Sequence, residues 1–139
     1  MDKVELLERI GRSEMLEFLG VSINVAEPDR VVLTMEVTSK VHQYVGIMNG
    51  GISLYLAETA ASIGVVAGAD LEKVTPVGIE INANHLRAVS KGTITVEAKP
   101  IYAGRAMSVW GIEITNDKGK LISVSRITLL NQKRAAGVQ

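Results

Sequence analysis

The segment from His42 to Gly68 holds the residues of this chain whose types and spacing could do chemistry. Glu58 is its only carboxylate, and the aliphatic residues around it make an unpaired charge costly to bury. The pair Gly50-Gly51 opens the apolar run that contains Glu58, and a helix that begins at such a turn presents unpaired backbone N–H groups. A carboxylate can serve as a base or a nucleophile, and N–H groups can stabilise an oxyanion. The segment therefore contains a candidate for each of these roles.

A long helix over residues 50–67 is predicted to position Glu58. It spans roughly 27 Å at 1.5 Å per residue, and apolar residues on almost every side predict a helix that is buried all round. Three- and four-residue spacing places four residues on the same face as Glu58: Leu54, Ala61, Ser62 and Val65. A carboxylate kept from water holds its proton more tightly, so a buried Glu58 would suit a general base near neutral pH.

Strand-like segments separated by turn residues flank this helix. Before it, β-branched residues on both sides of Glu27-Pro28-Asp29 predict a hairpin. Two short helices are predicted at residues 3–10 and 13–19, the second capped by Ser13. After the long helix, strands are predicted at residues 74–86, 92–102, 105–115 and 120–130. One long helix against a single antiparallel meander is an α+β, two-layer architecture. One sheet can cover only part of the helix, so we expect at least a homodimer.

The composition fits one domain over residues 1–139, with a helical segment at 1–19 and a flexible tail at 132–139. Hydrophobic residues make up 47% of the chain and aromatic residues 4%, so the core must be aliphatic. Fifteen basic residues balance fifteen acidic residues, which argues against a nucleic-acid-binding protein. The chain has no cysteine, and its two histidines lack the spacing of metal ligands.

The start of the chain and its longest apolar run indicate where the protein works. The N-terminal residues are charged and amphipathic, unlike a signal peptide. Glu58 interrupts the only apolar run that approaches the length of a membrane span. We therefore expect a cytoplasmic protein without membrane contact. The sequence also lacks the G-x-S-x-G elbow, the P-loop and the Rossmann glycine series.

The pattern HQ-x2-G-x-x-N-GG-x6-E-x3-S, from His42 to Ser62, resembles the hotdog-fold acyl-CoA thioesterases. It is most similar to the glutamate-using branch that contains 4-hydroxybenzoyl-CoA and phenylacetate-pathway thioesterases. The likeness covers residues 18–130 and includes the segment 78–85, Arg87 and the pair Gly104-Arg105. It implies the hotdog fold, in which a curved antiparallel sheet wraps one long buried helix. It also implies a homodimer, or a tetramer built as a dimer of dimers.

The activity implied by this resemblance is hydrolysis of an acyl- or aryl-CoA thioester to the carboxylic acid and free CoA. No metal or organic cofactor is implied, because CoA is part of the substrate. Glu58 would activate water against the thioester carbonyl or attack the carbonyl itself, and the sequence does not choose between these routes. The resemblance makes the N–H of Gly50 the oxyanion donor. Gln43 would lie near the thioester from the partner subunit, and Ser62 would hold the attacking water.

Asn49 departs from the resemblance, because relatives usually have histidine before the two glycines. Asparagine can donate and accept hydrogen bonds, so Asn49 is expected to help Gln43 and Ser62 to position substrate and water, but it does not titrate near pH 7. His85 is expected to line the pocket, and Gly51 is expected to let the substrate approach the backbone closely. Arg87 and Arg105 are candidates for the phosphates of CoA, since arginine pairs well with phosphate.

Each of these residues also has a plainer interpretation. Glu58 could be a structural carboxylate paired with His85 or an arginine across a dimer interface. The two glycines could serve a tight turn, and the arginines could be ordinary surface charges. Two rival functions stay open: a proofreading thioesterase that acts on an acyl carrier protein, and a non-catalytic acyl-CoA-binding protein. An aliphatic pocket of Leu54, Val65 and Met48 is expected to accept an aryl or medium-length acyl group.

Overall fold

A computed structural model describes residues 3–134, which form two short helices, one long helix and six strands. The helices are α1 (Lys3–Gly11), α2 (Glu14–Leu19) and α3 (Gly50–Gly68), and a 3-10 turn covers Ser39–Val41. The strands are β1 (Ser22–Glu27), β2 (Arg30–Glu36), β3 (Val74–His85), β4 (Thr93–Ala103), β5 (Met107–Thr115) and β6 (Leu121–Lys133). These are the predicted elements. Their bounds differ from the predicted ones by up to three residues, and the longest extension is at β6, which includes two residues assigned above to the flexible tail. Residues 135–139 lie outside the described residues.

The cap predicted for the second helix is confirmed. The hydroxyl of Ser13 accepts a hydrogen bond from the N–H of Leu16 at 3.2 Å. Gly20 ends this helix in the left-handed conformation, with φ of 70°, where a residue without Cβ is favoured.

All six strands form one antiparallel sheet in the order β1-β2-β4-β5-β6-β3. The single meander predicted after the helix is therefore wrong in one respect: only β4, β5 and β6 follow one another in the sheet. β3 pairs instead with β6, from Val74 opposite Lys133 to His85 opposite Ser123. This pairing makes β3 an edge strand whose other side has no strand partner among residues 3–134.

The sheet packs on α3, which contacts every one of the six strands. The core between them is aliphatic apart from Trp110, whose indole ring lies so close to Gly64 that a Cβ there would overlap it. α3 meets the length and composition criteria for a membrane span, but 50% of that stretch is buried inside the chain, as expected of a core helix.

The prediction that α3 is buried all round is wrong for a single chain. Its buried residues form one broad face: Ser53, Leu56, Ala57, Ala60, Ala61, Ile63, Gly64, Val65 and Ala67. On the opposite side Gly51 and Glu58 are exposed and five residues are half-buried, namely Leu54, Tyr55, Thr59, Ser62 and Val66. The sheet reaches only one side of the helix, which leaves this second side open in one copy of the chain.

Candidate active site

Asn49 is the N-cap of α3, and its capping bond distinguishes the two glycines that follow. Its side-chain Oδ1 accepts a hydrogen bond from the N–H of Gly51 at 2.8 Å. Its own N–H donates to the carbonyl of Val41 at 2.8 Å, which fixes the approach of the chain to the helix. The N–H of Gly50 has no acceptor among residues 3–134. The N–H of Gly51 is therefore occupied by the cap, and the N–H of Gly50 is free to bind a ligand oxygen.

His85 lies against Gly50 and explains why residue 50 is a glycine. A Cβ on Gly50 would sit 2.7 Å from His85 Nε2, a distance that real Cβ atoms do not show. His85 is the last residue of β3 and is held in the sheet opposite Ser123 of β6. The sheet therefore delivers an imidazole to the helix end where the N–H of Gly50 is unpaired.

A cavity of about 360 Å³ opens at this end of the helix. Five of the residues singled out from the sequence line it: Gln43, Met48, Gly50, His85 and Arg87. The other lining residues are Ile47, Ser53, Leu86, Ala88, Val89 and Ile122. The Oε1 of Gln43 accepts from the N–H of Val45 at 3.1 Å, so its amide N–H groups remain available as donors toward a ligand.

Glu58 lies in a separate depression of about 270 Å³ on the open side of α3. The expectation of a buried carboxylate is wrong for one chain: Glu58 is exposed, because on this side of α3 the sheet contributes only its edge strand β3. Its carboxylate rests over Gly78 of β3, where a Cβ would overlap Oε1 and lie 3.2 Å from Cδ. The carboxylate has no hydrogen bond or ion pair among residues 3–134.

Ser62 lies in the same depression as Glu58, one helical turn further along. The predicted aliphatic pocket of Leu54, Val65 and Met48 does not form in one chain. Met48 lines the cavity at Gly50, whereas Val65 lines a third depression near the other end of α3.

The two halves of the candidate site are too far apart to act together within one chain. Gly50 and Glu58 are eight residues apart on the same helix, which corresponds to about 12 Å along its axis. A group that donates to an oxyanion and a base or nucleophile must both come within about 3 Å of the reacting atoms.

Arg105 lines neither the cavity at Gly50 nor the depression at Glu58. It lies in the turn between β4 and β5, where its carbonyl accepts from Nδ2 of Asn131 at 3.0 Å. The neighbouring Gly104 lines the third depression together with Gly68, the last residue of α3. Within one chain Arg105 is thus at the opposite end of the helix from Arg87.

Four residues of the site were missed in the sequence. Tyr55 and Thr59 line the Glu58 depression, Ile10 of α1 forms one wall of it, and Gly78 makes room for the carboxylate. A glycine inside a strand pattern often marks close approach of another group, and this signal could have identified Gly78. Helical spacing around Glu58 could have identified Tyr55 and Thr59. Nothing in the local sequence of Ile10 indicates its contact with a helix that begins forty residues later.

Comparison with known proteins identifies the family to which this chain belongs. Residues 45–123 match the model of the thioesterase superfamily. A Listeria monocytogenes protein named 1,4-dihydroxy-2-naphthoyl-CoA hydrolase is 41% identical over 118 residues, which are 85% of this chain and 95% of that protein.

Solved structures agree with this match over nearly the whole chain. A thioesterase from Haemophilus influenzae superposes with a TM-score of 0.87 at 35% identity, covering 100% of this chain and 96% of that one. A Staphylococcus aureus protein superposes with a TM-score of 0.84 at 40% identity, covering 87% of this chain and 100% of that one. That protein was crystallised with alanine in place of one glutamate, and a second time with alanine in place of a glutamine fifteen residues earlier in its own sequence.

Proposed function

The chain belongs to the thioesterase superfamily, has the hotdog fold and is a thioester hydrolase, and from this premise we propose that two copies of it together cleave an acyl- or aryl-CoA thioester. The observation that supports a shared site is the separation of about 12 Å along α3 between the free N–H of Gly50 and the free carboxylate of Glu58. Each group lacks a partner among the described residues of its own chain, and neither can reach the substrate atom that the other contacts.

The unpaired edge of β3 offers a way to bring the two halves together. Glu58 rests over Gly78, and Gly50 rests against His85, so both halves of the site are attached to this strand. If two copies pair β3 in antiparallel fashion about a two-fold axis between Ile81 and Asn82, Gly78 of one copy lies opposite His85 of the other. The carboxylate of one copy then faces the helix end of the other.

In this site the thioester carbonyl oxygen accepts a hydrogen bond from the N–H of Gly50 of one copy. Gln43 and His85 of the same copy lie beside this carbonyl. Glu58 of the other copy takes a proton from water as the water attacks the carbonyl carbon, or its carboxylate attacks that carbon and water hydrolyses the resulting anhydride. In both routes the C–S bond breaks, CoA leaves as the thiolate and takes up a proton, and the carboxylic acid remains. Ser62, one turn from Glu58, would hold the attacking water.

Two further observations support this assignment of residues. Gln43 and Glu58 are fifteen residues apart, the same spacing as the glutamine and glutamate replaced in the Staphylococcus aureus protein. Arg87 is exposed and lines the cavity that contains Gly50, so it is the arginine that we propose for the phosphates of CoA. A carrier-protein thioester presents the same phosphopantetheine arm and is the second candidate substrate; hydrolysis rates of matched CoA and carrier-protein esters separate the two.

Replacing Glu58 with glutamine tests the activity directly. Glu58→Gln keeps the shape of the side chain and removes its basicity, so kcat for an aryl-CoA ester should fall by about 10²- to 10⁴-fold. Glu113→Gln, an equally conservative change on the outer face of the sheet, should leave kcat unchanged. Undetectable hydrolysis by the parent protein over a range of acyl- and aryl-CoA esters would favour the non-catalytic acyl-CoA-binding protein instead.

Subunit complementation tests the shared site. Gly50→Pro removes the N–H at the first helical position, where the helix backbone tolerates proline, and its Cβ also displaces the ring of His85. This variant should therefore have a much lower kcat as well. A mixture of dimers made from the Glu58→Gln and Gly50→Pro chains should recover about a quarter of the parent activity, because half the dimers are mixed and each has one intact site. No recovery in mixed dimers identified by mass spectrometry would mean that each site lies within one chain.

A further inference from the structure

Ser53 lies three residues after Gly50 in α3 and lines the same cavity. Only 3% of this residue is exposed, so packing against the core fixes its position. Its hydroxyl has no hydrogen-bond partner among residues 3–134. A buried hydroxyl without a partner is unfavourable, and neither the packing of the sheet on α3 nor the reaction proposed above gives this hydroxyl a role.

The side chain of Ser53 extends toward the end of α3 at which Gly50 lies. Residues three positions apart share a face of a helix, and each Cα–Cβ bond tilts toward the N-terminus of the helix. The hydroxyl of Ser53 therefore lies over the turn that begins at Gly50. A serine within a helix often bonds a carbonyl of the preceding turn, but Ser53 makes no such bond. Its O–H is thus available to a ligand beside the free N–H of Gly50.

Ser53 differs from three serines of the sheet that also have little contact with solvent. Ser108 accepts a hydrogen bond from Nε1 of Trp110 at 3.2 Å. The hydroxyl oxygens of Ser123 and Ser125 have no partner, but the surrounding protein encloses them completely. The hydroxyl oxygen of Ser53 is not enclosed in this way, because it opens onto the cavity at Gly50. The unpaired hydroxyl of Ser53 is therefore the one among these that a bound molecule can reach.

Asn49 does not take this role. It is exposed, its Oδ1 accepts the N–H of Gly51, and it does not line the cavity. Ser53 is on the same helix as Gly50, whereas the other polar side chains that line the cavity come from loops or from the end of β3. The distance between the Ser53 hydroxyl and the Gly50 N–H is therefore fixed by one rigid element, as two donors to a single oxygen require.

We infer that Ser53 is a second oxyanion donor, so that its O–H and the N–H of Gly50 both donate to the thioester carbonyl oxygen. The inference rests on the proposed function, because it concerns the same thioester. As the nucleophile adds to the carbonyl carbon, this oxygen becomes negatively charged, and a donor that is already in place stabilises the charge. Ser53 keeps its proton and forms no covalent bond. When the C–S bond breaks, the carbonyl forms again and the two hydrogen bonds weaken.

Replacing Ser53 with alanine tests this role by kinetics. Ser53→Ala should lower kcat by about 10²-fold with little change in KM. The factor should be the same for benzoyl-CoA and hexanoyl-CoA, because every thioester presents the same carbonyl. Ser53→Cys nearly keeps the size of the side chain but offers a weak donor, so its kcat should also fall while its thermal midpoint stays at the parent value. Ser125→Ala, which removes an enclosed and unpaired hydroxyl from β6, is the matched control and should keep the parent kcat.

Three kinetic outcomes would overturn the inference. A fall in kcat for only one of the two esters would mean that Ser53 contacts the acyl group. A higher KM with an unchanged kcat would mean that it contacts the CoA arm. A lower thermal midpoint with an unchanged kcat would mean that it only packs in the core.

The carbonyl stretching frequency of a bound ester reports the hydrogen bond itself. Benzoyl-CoA labelled with ¹³C at the carbonyl is bound to Glu58→Gln, in which hydrolysis is slow, and isotope-edited infrared spectra are recorded. The double variant Glu58→Gln, Ser53→Ala should show the stretch at a higher frequency, because the carbonyl has lost one donor. Equal frequencies in the two proteins would overturn the inference. Rapid hydrolysis by Glu58→Gln would instead contradict the proposed function.

Subunit mixing assigns Ser53 to one half of the site. Mixed dimers of the Ser53→Ala and Glu58→Gln chains have one intact site, so the mixture should recover about a quarter of the parent activity. A mixture of Ser53→Ala and Gly50→Pro chains should show no recovery, because each site then carries one of the two defects. Recovery in this second mixture would place Ser53 beside Glu58 and overturn the inference. Failure of Gly50→Pro and Glu58→Gln chains to complement each other would contradict the shared site instead.

Discussion

The N-terminal end of α3 and the middle of the same helix are organised differently. At the N-terminal end Asn49 caps the helix, His85 lies against Gly50, and one N–H is left free within a formed cavity. In the middle Glu58 is exposed, has no hydrogen-bond or ion-pair partner among the described residues, and rests over the backbone of Gly78. One half of the site is complete in a single chain, and the other is not.

This difference follows from what each half must do. An oxyanion donor works by being held rigidly before the reaction begins, and packing within one chain provides that. A carboxylate that acts as a base near neutral pH needs an environment with less water, and a single sheet cannot enclose both sides of α3. The second copy would therefore supply the low-dielectric surroundings of Glu58 as well as the N–H that faces it.

After Glu58→Gln, the largest effect should come from removing the free N–H of Gly50 at the N-terminal end of α3. Gly50→Pro should lower kcat by about 10²- to 10³-fold, as expected for loss of one oxyanion donor. Gly50→Ala keeps the N–H but places a Cβ 2.7 Å from His85 Nε2, so the ring must shift. Kinetics of both variants separate the two contributions: if alanine is as harmful as proline, the position of His85 matters more than the N–H.

A smaller effect is expected from moving the carboxylate of the open half. Gly78→Ala puts a Cβ where Oε1 of Glu58 lies, and the flexible end of that side chain can rotate away at little cost in stability. A displacement of about 1 Å can lower the rate up to about 10²-fold, so we expect a loss of kcat with an unchanged thermal midpoint.

The control for this change is Gly11→Ala, whose new Cβ would have only an ordinary contact with Ile23 at 3.8 Å. It should alter neither kcat nor the thermal midpoint. Full activity in Gly78→Ala would mean that the observed position of Glu58 over β3 is not the one it uses in the reaction.

The same comparison explains how much the sequence could predict. Gly50 and Glu58 were found because a glycine turn before an apolar helix and a lone carboxylate inside it are local signals. The exposure of Glu58 was missed because hydrophobicity predicts burial without indicating whether the same chain or a second copy provides it. The pairing of β3 with β6 was missed because strand order depends on contacts between residues about forty positions apart, such as His85 and Ser123, which turn residues do not encode.

The cap at Asn49 should contribute to stability more than to catalysis. Asn49→Ala removes the bond to the N–H of Gly51 and should lower the free energy of unfolding by about 1 kcal/mol. Asn49→Asp keeps the acceptor oxygen and should preserve stability. Urea unfolding at one fixed protein concentration measures both. Equal destabilisation by alanine and aspartate would show that the amide nitrogen, rather than Oδ1, is what residue 49 contributes.

The smallest expected effect concerns acid sensitivity on the outer face of the sheet, away from both halves of the site. Arg30 Nε at 2.9 Å and Lys99 Nζ at 3.2 Å hold the pKa of Glu97 below its ordinary value. A carboxylate with a lowered folded-state pKa stabilises the protein at neutral pH, and this contribution is lost as the pH falls from about 4.5 through the lowered pKa. Because the Glu97 side chain is 34% exposed, the contribution should be below about 1 kcal/mol. Glu97→Gln should therefore be slightly less stable than the parent at pH 7. The difference should shrink in 1 M NaCl, and it should also shrink as the pH falls through the lowered pKa of Glu97. The kcat of Glu97→Gln should equal that of the parent at every pH at which both proteins are folded. A changed pH–rate profile would show that this outer face of the sheet influences the active site.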